Sequence, residues 1–210
     1  MITIIDYGAG NIRSIANGLL ALDYRVKVTS SPEDVAAARL LILPGVGAAG
    51  DTMKSLKTLG ISDVLRDYIE AGRPFLGICI GLQVLLDRTE ENGGHDCLGV
   101  VHGDVRRLRF VDKIPHIGWN QVRQCSNHPV FEGIPDNAYF YFVHSYYPVP
   151  EDKSIIAAET DYGASFCSVI ARGGLVATQF HPEKSGENGL RFLKNFVELG
   201  LKKLDSAGVH

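Results

Sequence analysis

The feature that most constrains this chain is the stretch Pro74-Phe75-Leu76-Gly77-Ile78-Cys79-Ile80-Gly81-Leu82-Gln83. Phe75 to Ile78 is an apolar run short enough for a buried strand, and it passes straight into a pattern with Leu82, Leu85 and Leu86 at helical spacing. A sharp strand-to-helix turn reconciles the two. Glycines two residues on either side of Cys79 let the backbone fold that tightly and let strand and helix approach closely. The cysteine then stands at the tip, where the hydrolase elbow Gly-x-Ser-x-Gly presents its nucleophile, and at the positive end of a helix, which stabilises negative charge on sulfur. The position predicts a reactive thiol. Its competitor is the commonest role of a free cysteine, a small buried hydrophobe. A base elsewhere in the chain decides between them.

Around this elbow the sequence alternates strands and helices. Ile2 to Tyr7 reads as a buried strand, and Gly8-Ala9-Gly10 turns into a helix with Asn11 as its N-cap and Ile12, Ile15, Leu19 and Leu22 on its apolar face. Arg25 to Thr29 is a second strand, Ser30-Ser31-Pro32 opens a short helix, and Leu40 to Leu43 is a third strand ending in Pro44-Gly45-Val46-Gly47. A helical stripe from Ile61 to Ile69 is stopped by Gly72 ahead of the elbow strand. Such alternation predicts an α/β fold with an open sheet, mainly parallel in the N-terminal half, and helices on both faces. Ligands gather beyond the carboxyl ends of such strands, so Gly8 to Asn11, Pro44 to Gly47 and Cys79 should share one rim.

Beyond residue 98 the texture changes to strand candidates at Val105–Phe110, Trp119–Arg123, Tyr139–Val143, Ile155–Glu159, Phe166–Ile170 and Leu175–Phe180, expected as antiparallel additions. A helix through Leu190, Leu193, Phe196, Val197 and Leu201 closes the chain. No linker or repeat interrupts it, so residues 1–210 are expected to form one domain.

Composition excludes several classes of function. A net charge of −3 with no basic run argues against nucleic acid as a partner. No apolar stretch reaches membrane-spanning length, and strand-like sequence begins at Met1 without a signal-peptide pattern, which predicts a cytoplasmic protein. Its four cysteines are scattered and expected to be reduced. His95, Cys97 and His102 lack a fourth ligand at recognisable spacing, so no metal is expected.

The base is His181. It ends the apolar run Val176-Ala177-Thr178-Gln179-Phe180 and precedes Pro182, which holds its backbone extended; Glu183, two residues on, projects to the same side and can orient the imidazole. Cysteine, base and orienting carboxylate make a nucleophilic triad. An isolated His-Pro-Glu also suits a surface turn, and spacing alone does not choose.

Three motifs on one chain do choose: Gly-Ile-Cys-Ile-Gly-Leu-Gln, Pro-Gly-Val-Gly at a strand end, and Gln-Phe-His-Pro-Glu-Lys-Ser. Together they resemble the class I, triad-type glutamine amidotransferases over essentially the whole chain. The resemblance implies a flavodoxin-like fold, no cofactor, and hydrolysis of L-glutamine to L-glutamate and ammonia by Cys79, His181 and Glu183. The N–H of Ile80 and a backbone N–H within Gly45-Val46-Gly47 are the expected oxyanion donors, and Gln83 and the His144-Ser145-Tyr146 stretch the expected glutamine contacts. Asp6 to Asn11, His116 to Asn120, Tyr141 to Tyr147 and Glu183 to Gly186 look like the branch that passes ammonia to a separate (β/α)8 cyclase making imidazole glycerol phosphate and AICAR in histidine biosynthesis. There Asn11, Trp119, Asn120, Tyr139 and Lys184 match residues that face the cyclase. Lys184 and Leu82 depart from the chorismate-using branch, which generally carries serine and histidine at those places. Ala49 stands where the family usually has an aromatic.

Two rivals from other classes remain on sequence alone. Gly8-Ala9-Gly10 after a strand is a partial dinucleotide fingerprint, but Arg13 stands where its third glycine belongs. A cysteine peptidase on the same scaffold would carry the same elbow and triad.

Overall fold

Short apolar strands set the architecture. In the computed structural model, which describes residues 1–111 and 113–206, β1 (Ile2–Ile5) is buried along its whole length. After it come α1 (Ile12–Leu20), β2 (Val26–Thr29), α2 (Pro32–Ala37), β3 (Leu40–Leu43), α3 (Ala49–Thr58), α4 (Ile61–Glu70) and β4 (Phe75–Ile78). Like β1, strands β3 and β4 are buried throughout, as parallel strands covered on both faces must be. The four strands pair in parallel in the order β2-β1-β3-β4. Because parallel crossovers are right-handed, the reversal of direction at β1 puts α1 on one face and α2, α3 and α4 on the other.

Local chemistry places the helix ends. Ser31 caps α2, its hydroxyl accepting the Asp34 N–H, as Ser30-Ser31-Pro32 predicts. Asn11 occupies the cap position of α1 but makes no side-chain cap hydrogen bond; its amide turns toward Glu183 instead. The helix expected to run on from the elbow is a single turn, α5 (Ile80–Gln83). The carbonyls of Val84, Leu85 and Leu86 are taken by N–H groups of Leu98 to Val101, which ends the helix although Leu82, Leu85 and Leu86 are all buried. One turn aligns too few peptides for a macrodipole to act on Cys79.

Past the elbow lie β5 (Arg88–Thr89), β6 (His95–Asp96), β7 (Gly103–Arg107), β8 (His116–Gln124), β9 (Ala138–His144), β10 (Tyr146–Pro150), β11 (Ile156–Asp161), β12 (Ser165–Arg172) and β13 (Leu175–Thr178). The large sheet continues from β4 as β13-β12-β11-β8-β9, and β10-β7-β5-β6 form a second, smaller sheet. Every strand expected in this half is present. One of them corrects the expectation: β13 is parallel to β4, pairing Leu175 with Phe75 through Thr178 with Ile78. The β12–β13 hairpin reverses the chain, and the reversal turns β13 to run alongside β4.

The closing helix α6 (Gly186–Ser206) packs on α1, β3 and β9 and buries Phe192, Leu193, Phe196 and Val197. Phe180, just beyond β13, stacks on Phe140 at 4.1 Å between ring centroids and meets Phe192 edge-on at 5.5 Å. This aromatic cluster anchors the segment that carries His181. Among the described residues no helix is long and apolar enough to cross a membrane.

Candidate active site

The elbow is a strained turn made possible by missing side chains. Cys79 holds φ 55° and ψ −103°, a conformation that costs a non-glycine residue about 1–3 kcal/mol. A Cβ on Gly77 would lie 2.5 Å from the Gly81 carbonyl oxygen, and one on Gly81 would lie 2.1 Å from that of Leu43. Both contacts are with backbone and cannot be relieved by a rotamer. The Cys79 N–H donates to the Thr178 carbonyl at 2.7 Å, so the β4–β13 ladder runs up to Cys79 itself. The thiol is almost fully buried.

Parallel pairing of β4 and β13 then brings His181 to Cys79, 102 residues away in sequence but on the adjacent strand end. Its Nδ1 lies 2.9 Å from the Glu183 Oε1, and the two side chains are 2% and 0% exposed. The pair is held from β9: the His181 N–H donates to the Tyr141 carbonyl at 2.9 Å, and the Ser185 hydroxyl accepts the Tyr141 N–H at 2.9 Å while donating to the His181 carbonyl. The Asn11 amide reaches the Glu183 Oε1 at 3.4 Å. The His181 Nε2 is buried and has no hydrogen-bond partner among the described residues. Burial disfavours the imidazolium, yet the proximity of Cys79 and Glu183 outweighs it and raises the His181 pKa to about 10.

The expected rim exists. Gly10 lies against the Pro44 ring, and Gly45 against Ile80, where an added Cβ would come within 2.5 Å of the Ile80 Cβ. Val46, Gly47, Cys79 and Ile80 form one wall of a cleft of about 430 Å³, with Gln83, His144, Ser145, Tyr146, His181 and Lys184 also lining it. Gly47 holds φ 96° with open space around it, and Val46 is 37% exposed, so the peptide between two packed elements has room to turn.

Two residues at the site were not singled out by their sequence. Gln179 is fully buried and its Nε2 donates to the Cys79 sulfur at 3.6 Å, while its Oε1 accepts from Gln83 at 3.1 Å. It lies inside the Gln-Phe-His-Pro-Glu motif, which is the signal that could have marked it. Glu91 reaches the cleft from the loop after β5, its Oε2 accepting the Ala49 N–H at the start of α3; no local pattern announces it.

Period-two alternation sorts the residues expected at a partner surface. Trp119 pairs with Tyr141 across β8–β9, and Ile117, Trp119 and Tyr139 are each more than half exposed on the outward side. Lys184 is exposed beside them, its Nζ 5.8 Å from the Tyr141 ring. Asn120 lies on the opposite face of β8, bonded to His116 and to the Asp161 carbonyl. Asn11 is half-buried behind the triad. Of the histidines weighed for a metal, His95 lies against Gly50 and His102 bonds Asp87 at 3.2 Å.

Comparison with known proteins agrees with this geometry. Residues 3–199 match the family model for glutamine amidotransferase class-I. The chain is 52% identical over 201 residues to the imidazole glycerol phosphate synthase subunit HisH of Dehalococcoides mccartyi, covering 96% of this chain and 98% of that one. It is 54% identical over 201 residues to the HisH subunit of Chloroflexus aurantiacus, covering 94% and 95%. A crystal structure of a glutamine amidotransferase superposes with a TM-score of 0.72 at 22% identity over 95% of this chain and 99% of that one, which is agreement in fold.

Proposed function

Since the chain belongs to the class-I glutamine amidotransferase family, we propose that it is the glutaminase subunit of an imidazole glycerol phosphate synthase and hydrolyses L-glutamine to L-glutamate and ammonia. The observation that carries this reading is the buried His181–Glu183 pair beside a strained elbow cysteine at the floor of a cleft sized for an amino acid. The sulfur of Cys79 attacks the side-chain amide carbon of glutamine. His181, carrying the proton, gives it to the departing amine, and the neutral imidazole then draws a proton from water as that water cleaves the thioester. Glu183 holds the imidazole with its proton on Nδ1 and stabilises its charged form.

Around this chemistry each polar group has a task. The Ile80 N–H and an N–H of the Val46 peptide face the developing oxyanion, and the open backbone at Gly47 allows that peptide to reorient when a partner docks. The buried Gln83 Oε1 has no partner among the described residues and is free to accept from the substrate amide. His144, Ser145 and Tyr146 hold the α-carboxylate end, and Glu91 supplies the opposite charge for the α-ammonium group. The partner is a (β/α)8 cyclase seated on the exposed face of Trp119, Tyr139 and Lys184, with Asn11 and Asn120 bordering it. The whole chain serves as one cytoplasmic amidotransferase domain.

The test is glutamate release by the chain alone, with a cyclase subunit, and with the cyclase plus its nucleotide substrate. Strong stimulation that disappears in Cys79→Ala is the expected result. Absence of glutamate under all three conditions would overturn the reading, and cleavage of peptides in preference to glutamine would replace it with a peptidase.

A further inference from the structure

A single carbonyl organises a buried chain of side chains that ends on the nucleophile. The Tyr146 carbonyl oxygen accepts from two directions: from the His144 Nδ1 at 2.9 Å and from the Gln83 Nε2 at 2.8 Å. A carbonyl has no proton to give, so both neighbours must donate. On one side the His144 proton is therefore on Nδ1, its Nε2 is an acceptor, and the His116 Nδ1 at 2.9 Å must donate to it. The His116 Nε2 is then an acceptor in turn, and the Asn120 amide donates to it at 3.2 Å, with the Asn120 Oδ1 accepting the Gln121 N–H at 2.8 Å. On the other side Gln83 presents its amide nitrogen to the Gln179 Oε1 at 3.1 Å, which leaves the Gln179 nitrogen facing the Cys79 sulfur at 3.6 Å. Every donor and acceptor along the chain agrees with its neighbour.

Resting on the glutaminase reading above, we propose that Asn120, His116, His144 and Gln83 are positioning residues that, through the Tyr146 carbonyl, lock Gln179 with its amide N–H toward Cys79, so that a donor always faces the attacking sulfur. Reversing the Gln179 amide would set its nitrogen against the Gln83 nitrogen and its oxygen against the sulfur, two repulsive contacts in a site where Gln83 and Gln179 are 2% and 0% exposed. Nor can the histidine pair absorb a stray proton: placing one on the His144 Nε2 sets two N–H groups head to head at 2.9 Å. Burial points the same way, lowering the His116 pKa to about 4 and the His144 pKa to about 3. His116 is itself fixed between the Phe142 and Tyr162 rings, stacked at 4.9 and 4.0 Å, so its ring cannot swing out of line. An amide hydrogen bond to a charged sulfur stabilises the form that attacks and engages the lone pair that faces Gln179, leaving the others for the substrate carbon.

The arrangement makes a demand that needs no variant. Both His116 and His144 must carry their proton on Nδ1, the rarer tautomer of a neutral imidazole, and nitrogen NMR of the labelled chain bound to its cyclase reads this directly. Ordinary Nε2–H signals for either ring overturn the proposal. The second measurement is iodoacetamide alkylation of the same complex at neutral pH, followed by mass spectrometry of the Cys79 peptide. Gln179→Met, close in volume but without a donor, should slow Cys79 alkylation about tenfold, and His116→Phe, which keeps the stacking but breaks the chain, should slow it in the same direction. Both should lower kcat for glutamine far more than they raise KM, a split that mere loosening of the fold would not give. Wild-type alkylation in both variants, with unchanged melting, would reduce the chain to packing. Neither readout requires glutamine turnover, so the chain can fail while the glutaminase assay succeeds, or stand while it fails.

Discussion

Replacing Glu183 by Gln would keep the shape of the side chain and remove its charge. The carboxylate lies 2.9 Å from the His181 Nδ1 and both side chains are almost wholly buried, so solvent does little to screen them. A buried hydrogen bond to a charged partner is worth about 1.5–3 kcal/mol, which converts to about ten- to a hundredfold in rate if it acts on the imidazolium formed or consumed in the reaction. Glutamine also carries an amide nitrogen that can face Nδ1 and push the proton to Nε2, the tautomer in which His181 cannot accept a proton from water, so the larger figure is the expected one. A stability signature accompanies it. His181 is raised from the ordinary 6.5 to about 10 in the folded protein. A raised pKa means the contribution to stability is complete below 6.5 and fades as pH climbs toward 10, so the wild-type urea midpoint should fall across that window. In Glu183→Gln the fall should be shallower. Glutamate release by the synthase complex and urea titrations at several pH values are the two assays. Activity within about twofold of wild type, with the same stability slope, would refute the assignment of Glu183 as the partner of His181.

Three other outcomes follow from the geometry. Gly81→Ala, with its Cβ 2.1 Å from the Leu43 oxygen, must force β3 and the elbow apart; a loss of about 1–3 kcal/mol or more in urea unfolding and near-complete loss of Cys79 reactivity are expected. Glu91→Gln should raise the KM for glutamine about tenfold or more through loss of a charged contact to the α-ammonium group, with kcat much less affected, as steady-state kinetics would show. Trp119→Ala should leave the melting temperature nearly unchanged, because the side chain is 55% exposed, yet weaken binding to the cyclase by about 2 kcal/mol or more in calorimetry.

What the sequence disclosed and what it withheld divide along local and non-local physics. The elbow was legible because glycine at 77 and 81 is demanded by backbone contacts within a few residues and the next strand end. His181 and Glu183 were legible because proline fixes the backbone beneath them. The direction of β13 was not, since a hairpin and a parallel neighbour have the same local composition, and only pairing with β4 distinguishes them. The helix after Cys79 was overextended for a similar reason: Leu85 and Leu86 have the right spacing, but their carbonyls are claimed by residues near position 100. α3 leaves only a weak stripe in the sequence, because its buried side includes Thr52 beside Met53 and Leu56. Asn11 has the residue type of a cap, whereas a carboxylate 172 positions away takes its amide. Gln179 sits in a legible motif but gains its contacts from Gln83 and Cys79 far along the chain, and Glu91 gains its meaning from neighbours that no window of sequence contains.

The strand that anchors the triad has a second consequence. β9 ends the large sheet, and an end strand with free N–H and carbonyl groups is a template on which another chain can add. Here those groups at Tyr141 are occupied by Ser185 and by the His181 backbone. The turn that carries His181 thus also covers this stretch of the sheet edge. Removing the Ser185 hydroxyl would leave the Tyr141 N–H at that edge unpaired, and the expected outcome is clumping in light scattering as well as lost turnover.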